Sequence, residues 1–218
     1  MKVIITGATG MVGEGVLLEC LENAEVKKVL MINRKPSPIK HAKLEELIVP
    51  DFMKLENYKD SLSGYDGCFY CAGISSIGMS EEKYTYITYD TTMHFAKVLV
   101  SVNPNLVFNF VSGGHTDSSE KGRIMWARVK GKTENDLRRL PFKAVYNFRP
   151  GFMKPFKGQK NVKSIFKVII PIIPIFFPKA SLTMEQVGQA MINAVTKGYS
   201  KHVLEISDIK QLSGIKFK

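Results

Sequence analysis

The chain has 218 residues, 44% of them hydrophobic and 23% charged, and 31 Lys and Arg against 20 Asp and Glu give a formal net charge of +11. That length buries a sizeable core in one domain and is short for two, so one domain over residues 1–218 is expected, and the three cysteines, an odd number, argue against a disulfide framework and for a reducing compartment, read here as the cytoplasm. The lysines are scattered, without an aromatic RNA-binding signature or a helix-turn-helix pattern, so the positive field is expected to collect anionic small molecules and not nucleic acid.

No basic, apolar leader precedes the first strand, so no secretory signal is expected. Ile4-Ile5-Thr6 reads as that strand. It runs into Gly7-Ala8-Thr9-Gly10-Met11-Val12-Gly13, a turn with a glycine at every third position, and then into a helical pattern at Val16, Leu17, Cys20 and Leu21. One glycine is needed for a tight strand-to-helix turn, one to let backbone N–H groups approach a pyrophosphate, and one to let helix and strand pack closely. A dinucleotide is therefore expected on Gly7, Thr9, Gly10, Met11, Val12 and Gly13.

Lys28 to Asn33 is the second predicted strand, and Asn33-Arg34-Lys35 follows its end. An acid at that point accepts hydrogen bonds from the ribose hydroxyls and selects NAD, whereas a basic residue pairs with a 2′-phosphate and selects NADP. With Arg34 and Lys35 present and no acid at the strand end, NADP is expected over NAD.

Leu47-Ile48-Val49 is expected as a short third strand ending at Pro50-Asp51, Gly67 to Gly73 as a fourth, Leu106 to Ser112 as a fifth and Ala144 to Arg149 as a sixth. These are continuous apolar runs, as expected when helices cover both sheet faces. Helical stretches fall at 82–102 and 126–139, so the fold class is α/β, a doubly wound parallel sheet of Rossmann type. Cys68 and Cys71 form a C-x-x-C pair inside the fourth strand; no second Cys or His pair stands at ligand spacing, and buried thiols are expected there instead of a metal.

Residues 162–179 are unusual. Val168 to Pro178 carries no charge and three prolines, too short and too broken to span a bilayer as a helix. Lys154, Lys157, Lys160, Lys163 and Lys167 precede or enter it and allow contact with an anionic membrane surface, but a packed cover over the substrate cleft, or a contact between two copies in a homodimer, is the favoured reading. Thr183-Met184-Glu185-Gln186 is a capping box opening a last helix that stops near Gly198, and His202 to Ile206 reads as a last strand.

The glycine spacing, preceded by Thr6, resembles the short-chain dehydrogenase/reductase superfamily in its extended and atypical branches, where T-G-A-T-G-x-[VIL]-G is common. Phe108-Asn109-Phe110-Val111-Ser112, Trp126-Ala127-Arg128-Val129-Lys130-Gly131-Lys132-Thr133-Glu134 and Phe148-Arg149-Pro150-Gly151 sharpen the match. They resemble the atypical members related to the Tat-interacting-protein oxidoreductases, a pattern often labelled nucleoside-diphosphate-sugar epimerase. The resemblance covers most of the chain and fades after about residue 155. It implies an enzyme acting on a small carbonyl or hydroxyl substrate. It also implies that Asp51, with Phe52, lies at the adenine, that Cys71-Ala72-Gly73 is the turn under the cofactor, and that Val111, Lys130, Pro150 and Gly151 line the site.

In this superfamily a Ser or Thr after the fifth strand, and a Tyr four residues before a Lys, carry the chemistry. Ser112 and Lys130 occupy two of those positions, and Trp126 stands where the Tyr belongs. An i,i+4 pair shares one helix face, but an indole N–H only donates and does not exchange a proton at working pH. Tyr84, Tyr86, Tyr89 and His115 are candidate substitutes, Thr116 a helper to Ser112, and Lys130 can itself act through water. Alternatively the chain binds NADP without turning it over, as in the NmrA-like redox sensors.

Overall fold

In a computed structural model, residues 1–156, 158–162 and 180–215 are described. Strand β1 (Lys2–Thr6) is an interior strand of the sheet, with four of its five residues fully buried between two helical layers. It pairs in parallel with β2 (Lys28–Asn33) on one side and β4 (Gly67–Tyr70) on the other. Outward from these lie β3 (Leu44–Ile48), β5 (Val107–Val111), β6 (Ala144–Phe148) and β9 (Val203–Leu204), giving a seven-stranded sheet in the order β3-β2-β1-β4-β5-β6-β9 with every pairing parallel. The expected doubly wound sheet is therefore the fold.

Residues alternate between the two faces along each strand. Ile5, Met31 and Phe69 meet α1 (Met11–Glu22) and α5 (Met184–Thr196). Ile4, Ile32, Cys68 and Tyr70 meet a 3₁₀ segment (Phe52–Ser61), α3 (Thr91–Val102) and α4 (Met125–Leu137). Each fully buried Leu, Ile or Phe contributes about 1.5–3 kcal/mol relative to an exposed one. Both layers thus anchor the strand ends at which a ligand would sit.

Several boundaries depart from the sequence expectations. The third strand starts at Leu44, earlier than expected, because the adjacent Glu45 and Glu46 of this edge strand interrupt its apolar run. The fourth stops at Tyr70, leaving Cys71, Ala72 and Gly73 as a loop past the sheet. The long helix expected over 82–102 is divided into α2 (Glu81–Thr85), a π-helical turn (Tyr86–Asp90) and α3. There the Thr91 hydroxyl donates to the Tyr86 carbonyl, five residues back, at 2.9 Å, a bond that suits a widened turn.

Thr183 caps α5 as expected, and the reciprocal Thr183–Gln186 bonds complete the box. After β9 a further helix, α6 (Ile206–Ser213), packs on α5 where only a strand was expected. A small parallel pair, β7 (Phe152–Lys154) with β8 (Ser181–Thr183), was also unforeseen. The proline-rich run 168–178 lies outside the described residues.

Candidate active site

The C-terminal ends of β1, β2, β4 and β5 converge on one rim, and the expected residues are distributed along it. Gly7 takes φ +71°, and a Cβ there would lie 2.6 Å from the backbone of Cys71 and Ala72, so this glycine makes the tight turn. Gly13 is buried, and a Cβ there would sit 2.1 Å from the Gly7 carbonyl oxygen, so this glycine permits helix and turn to touch. Gly10 is the N-cap of α1 and is exposed; a Cβ there would meet only the Gly7 oxygen at 3.3 Å. No side chain caps α1, so the N–H groups of its first turn, at Met11, Val12 and Gly13, have no capping acceptor beside the bare Gly10. That is a cradle for an anion, and the fit to a pyrophosphate is good. Thr9 is exposed next to it, while Met11 and Val12 are half-buried.

At the β2 end Asn33 is buried, and Arg34 and Lys35 are exposed. Asp51 caps the 3₁₀ segment, its carboxylate accepting from the Met53 N–H at 2.9 Å. The Phe52 ring packs inward against Phe95, with centroids 5.4 Å apart. Past β4, the Ala72 N–H donates to the Thr6 hydroxyl at 3.2 Å, holding the Cys71-Ala72-Gly73 loop against the glycine turn. Cys20 and Cys68 are buried free thiols and Cys71 is half-buried, with burial pushing its thiol well above the usual range.

The third part of the rim is the β5 end. The Lys130 amine on α4 donates to the Ser112 carbonyl at 3.0 Å and more weakly to the Val111 carbonyl at 3.5 Å. Burial lowers its pKa to about 8, opposed by the negative charge of Glu134 one turn further along the helix. The Ser112 hydroxyl, 5% exposed, lies 2.9 Å from that of Thr116, and Thr116 donates to the Gly113 carbonyl at 2.8 Å. With the Thr116 proton so engaged, Ser112 donates to Thr116, and its oxygen keeps lone pairs for another donor. Trp126 is half-buried one turn before Lys130, its ring edge 3.7 Å from where a Cβ on Gly113 would stand. Pro150 and Gly151 close the rim after β6, and the Pro150 carbonyl accepts from the Gly114 N–H at 3.2 Å.

The candidate substitutes for the missing tyrosine separate. Tyr89 donates to the Asp136 carboxylate at 2.7 Å, with the Lys132 amine 4.6 Å from its ring centre, and is thereby engaged between helices. Tyr84 is buried in the core, Tyr86 is exposed on the π turn, and His115 is exposed at φ 66° in the loop after β5. The structure brings Ser112, Thr116, Trp126 and Lys130 together and leaves these four in other settings.

Three carboxylates around the site were not anticipated. Glu14, directly after the third glycine and 3% exposed, accepts the N–H groups of Lys160 at 2.9 Å and Asn161 at 2.6 Å, tying that turn to α1. Glu46 binds Asn33 across β2 and β3. Glu134 grips Arg149. Only Glu134 gave a sequence signal, through its i,i+4 spacing from Lys130.

The chain belongs to the NAD dependent epimerase/dehydratase family, whose model matches residues 3–133. Among relatives, it is 31% identical over 146 residues to Leucinostatins biosynthesis cluster protein T of Purpureocillium lilacinum (64% of this chain, 52% of that protein) and 28% identical over 154 residues to Protein HTATIP2 of Rattus norvegicus (70% and 62%). It thus spans about half to three fifths of the length of these two. It is 24% identical over 204 residues to Protein FMP52, mitochondrial, of Debaryomyces hansenii (90% and 88%). Solved structures share the fold. A short chain dehydrogenase from Burkholderia cenocepacia in complex with NADP aligns with TM-score 0.68 at 12% identity (96% of this chain, 91% of that one), and the Bordetella bronchiseptica enzyme WbmF in complex with NAD+ with 0.65 at 16% (98% and 76%).

These relatives correct one expectation. Several are named as mitochondrial proteins, which overturns the cytoplasmic reading. That reading rested on an odd count of thiols, which speaks of a reducing environment and does not distinguish one such compartment from another. Among the described residues, no helix is long and apolar enough to cross a membrane.

Proposed function

We propose that this chain is an NADP-dependent oxidoreductase or epimerase-like enzyme acting on a small carbonyl or hydroxyl substrate, with Lys130 as its proton-exchanging group. The observation that carries the reading is the Lys130 amine, half-buried at the β5 end where it donates to the Ser112 carbonyl, with its pKa lowered to about 8. An acid of that strength both holds and releases a proton near neutral pH, the task the Trp126 indole does not perform. The Gly7–Gly13 turn holds the pyrophosphate, Arg34 and Lys35 meet the 2′-phosphate, and Ser112 orients the substrate oxygen. The bound dinucleotide supplies or accepts the hydride. Small-molecule chemistry of this kind fits the family, and dinucleotides are named in the two structures of the same fold.

The sign of the pH dependence follows from the role. In the reducing direction Lys130 gives its proton to the nascent alkoxide and must start protonated, so kcat/KM is expected to fall as pH rises through about 8. Lys130→Arg, whose guanidinium stays protonated, is expected to lose that limb and about 10²-fold in rate. Initial rates with NADPH over a panel of aldehydes, ketones and sugar nucleotides check this. Robust activity that survives Lys130→Ala would show that the reacting group lies elsewhere.

Trp126 favours a second reading, a catalytically silent NADP-binding regulator. In that case neither the wild type nor Trp126→Tyr reduces any member of the panel, while both bind NADPH. Under the enzyme reading, Trp126→Tyr places a phenol one helical turn from Lys130 and leaves activity at or above the wild-type level.

For cofactor choice, NADPH is expected to bind more tightly than NADH by about 1–3 kcal/mol, the worth of charge-assisted bonds from Arg34 and Lys35. Calorimetry on the wild type and Arg34→Ala reads it. Equal wild-type affinities would remove these side chains from the phosphate site.

A further inference from the structure

At the end of β2, Asn33 is 3% exposed and its Nδ2 donates to Glu46 Oε1 at 3.1 Å. The same carboxylate oxygen accepts the Ser37 N–H at 2.8 Å, so Glu46 is itself fixed from two sides. Glu46 belongs to β3, where it aligns with Met31, and it reaches Asn33 from the sheet edge. A carboxylate accepts and does not donate, so the Asn33 amide is held with its nitrogen toward Glu46 and its oxygen turned away. Among the described residues no donor meets that oxygen. Asn33 follows Ile32, which aligns with Thr6, the residue that leads into the glycine turn.

We infer that Glu46 is a specificity-determining residue. By fixing the Asn33 amide, it gives the dinucleotide site an acceptor for a free 2′-hydroxyl, so that NAD(H) binds alongside the NADP(H) that Arg34 favours. A 2′-hydroxyl donates to an amide oxygen, whereas a 2′-phosphate has only acceptors for it and draws its attraction from Arg34 next door. Glu46 thus supplies from the neighbouring strand what an acid at the end of β2 would supply directly. The inference rests on the reading of the Gly7–Gly13 turn as a dinucleotide site.

The test is a set of NADH and NADPH titrations by calorimetry on the wild type, Glu46→Ala, Glu46→Gln and Asn33→Ala. Glu46→Ala frees the amide to turn its nitrogen outward, so NADH is expected to weaken about fivefold and NADPH to tighten by a similar factor, the scale of one hydrogen bond. Glu46→Gln retains an oxygen able to accept from both Asn33 and Ser37 and is expected to keep NADH affinity within about twofold of wild type. Asn33→Ala is expected to weaken NADH about fivefold, which keeps the inference testable should Glu46→Ala fold poorly. Unchanged NADH affinity in Asn33→Ala or in folded Glu46→Ala overturns it. So do equal shifts in Glu46→Ala and Glu46→Gln, which mark a charge effect and no amide orientation. A wild type that binds NADPH and not NADH refutes the role of Glu46 and leaves the glycine turn standing as a dinucleotide site. A wild type that binds neither overturns both.

Discussion

Glu134→Ala is expected to destabilise the protein by about 3–5 kcal/mol, the usual cost of stranding one member of a buried ion pair. Glu134 is 1% exposed on α4, and its two oxygens take Arg149 Nε at 3.0 Å and Nη2 at 2.5 Å. The guanidinium also donates to the Ser118 hydroxyl at 2.6 Å and to Glu205 at 3.2 Å, but the Glu205 side chain is half exposed and a weaker partner. Removing Glu134 leaves a buried cation with its best acceptor gone. Replacing both members with apolar residues, Glu134→Leu with Arg149→Met, is expected to recover most of the loss, because no charge then stays buried. Denaturant midpoints decide it, and a loss below about 1 kcal/mol for Glu134→Ala would mean that Glu205 and Ser118 suffice. The pair fastens α4 to the end of β6, and Lys130 stands one turn along that helix. Its loss is therefore expected to loosen the candidate site as well.

Gly10→Val is expected to abolish dinucleotide binding, weakening it by about 10²-fold or more, while the fold survives. The distinction among the three glycines makes this substitution selective. A side chain at Gly13 would drive into the Gly7 carbonyl, and one at Gly7 would need a strained backbone as well as space held by Cys71 and Ala72. A side chain at Gly10 meets almost nothing of the protein and stands over the first-turn N–H groups of α1, in the place the pyrophosphate would take. Circular dichroism and calorimetry with NADPH together read the outcome. Wild-type affinity in a folded Gly10→Val protein would mean that the turn binds nothing of this kind.

Much of this was legible in the chain because it is local. The β1 strand, its glycine turn and the opening of α1 lie within about a dozen consecutive residues, and the required φ and close approaches are written in the residue types. The capping box at Thr183 is local too, whereas Ser112, Trp126 and Lys130 were singled out only through the resemblance to the short-chain dehydrogenase/reductases. What failed depends on neighbours in space. β3 is an edge strand whose adjacent Glu45 and Glu46 hid its start. The β7–β8 pair joins segments far apart in sequence, which no local pattern reports. The amide clip of Asn33 depends on the β2–β3 register, so the absence of an acid after β2 gave an incomplete account of that corner. The α6 helix opens on a local signal, the reciprocal Glu205–Asp208 cap, but with acids where Ser or Thr and Glu or Gln usually stand.

The most direct measurement is a crystal structure of the protein grown with NADP and read at the nicotinamide end. The account predicts the pyrophosphate on the N–H groups of Met11 to Gly13, the 2′-phosphate beside Arg34, and the Lys130 amine and Ser112 hydroxyl nearest to nicotinamide C4. A dinucleotide bound away from the Gly7–Gly13 turn, or one seated there with its nicotinamide remote from Lys130 and Ser112, would contradict it.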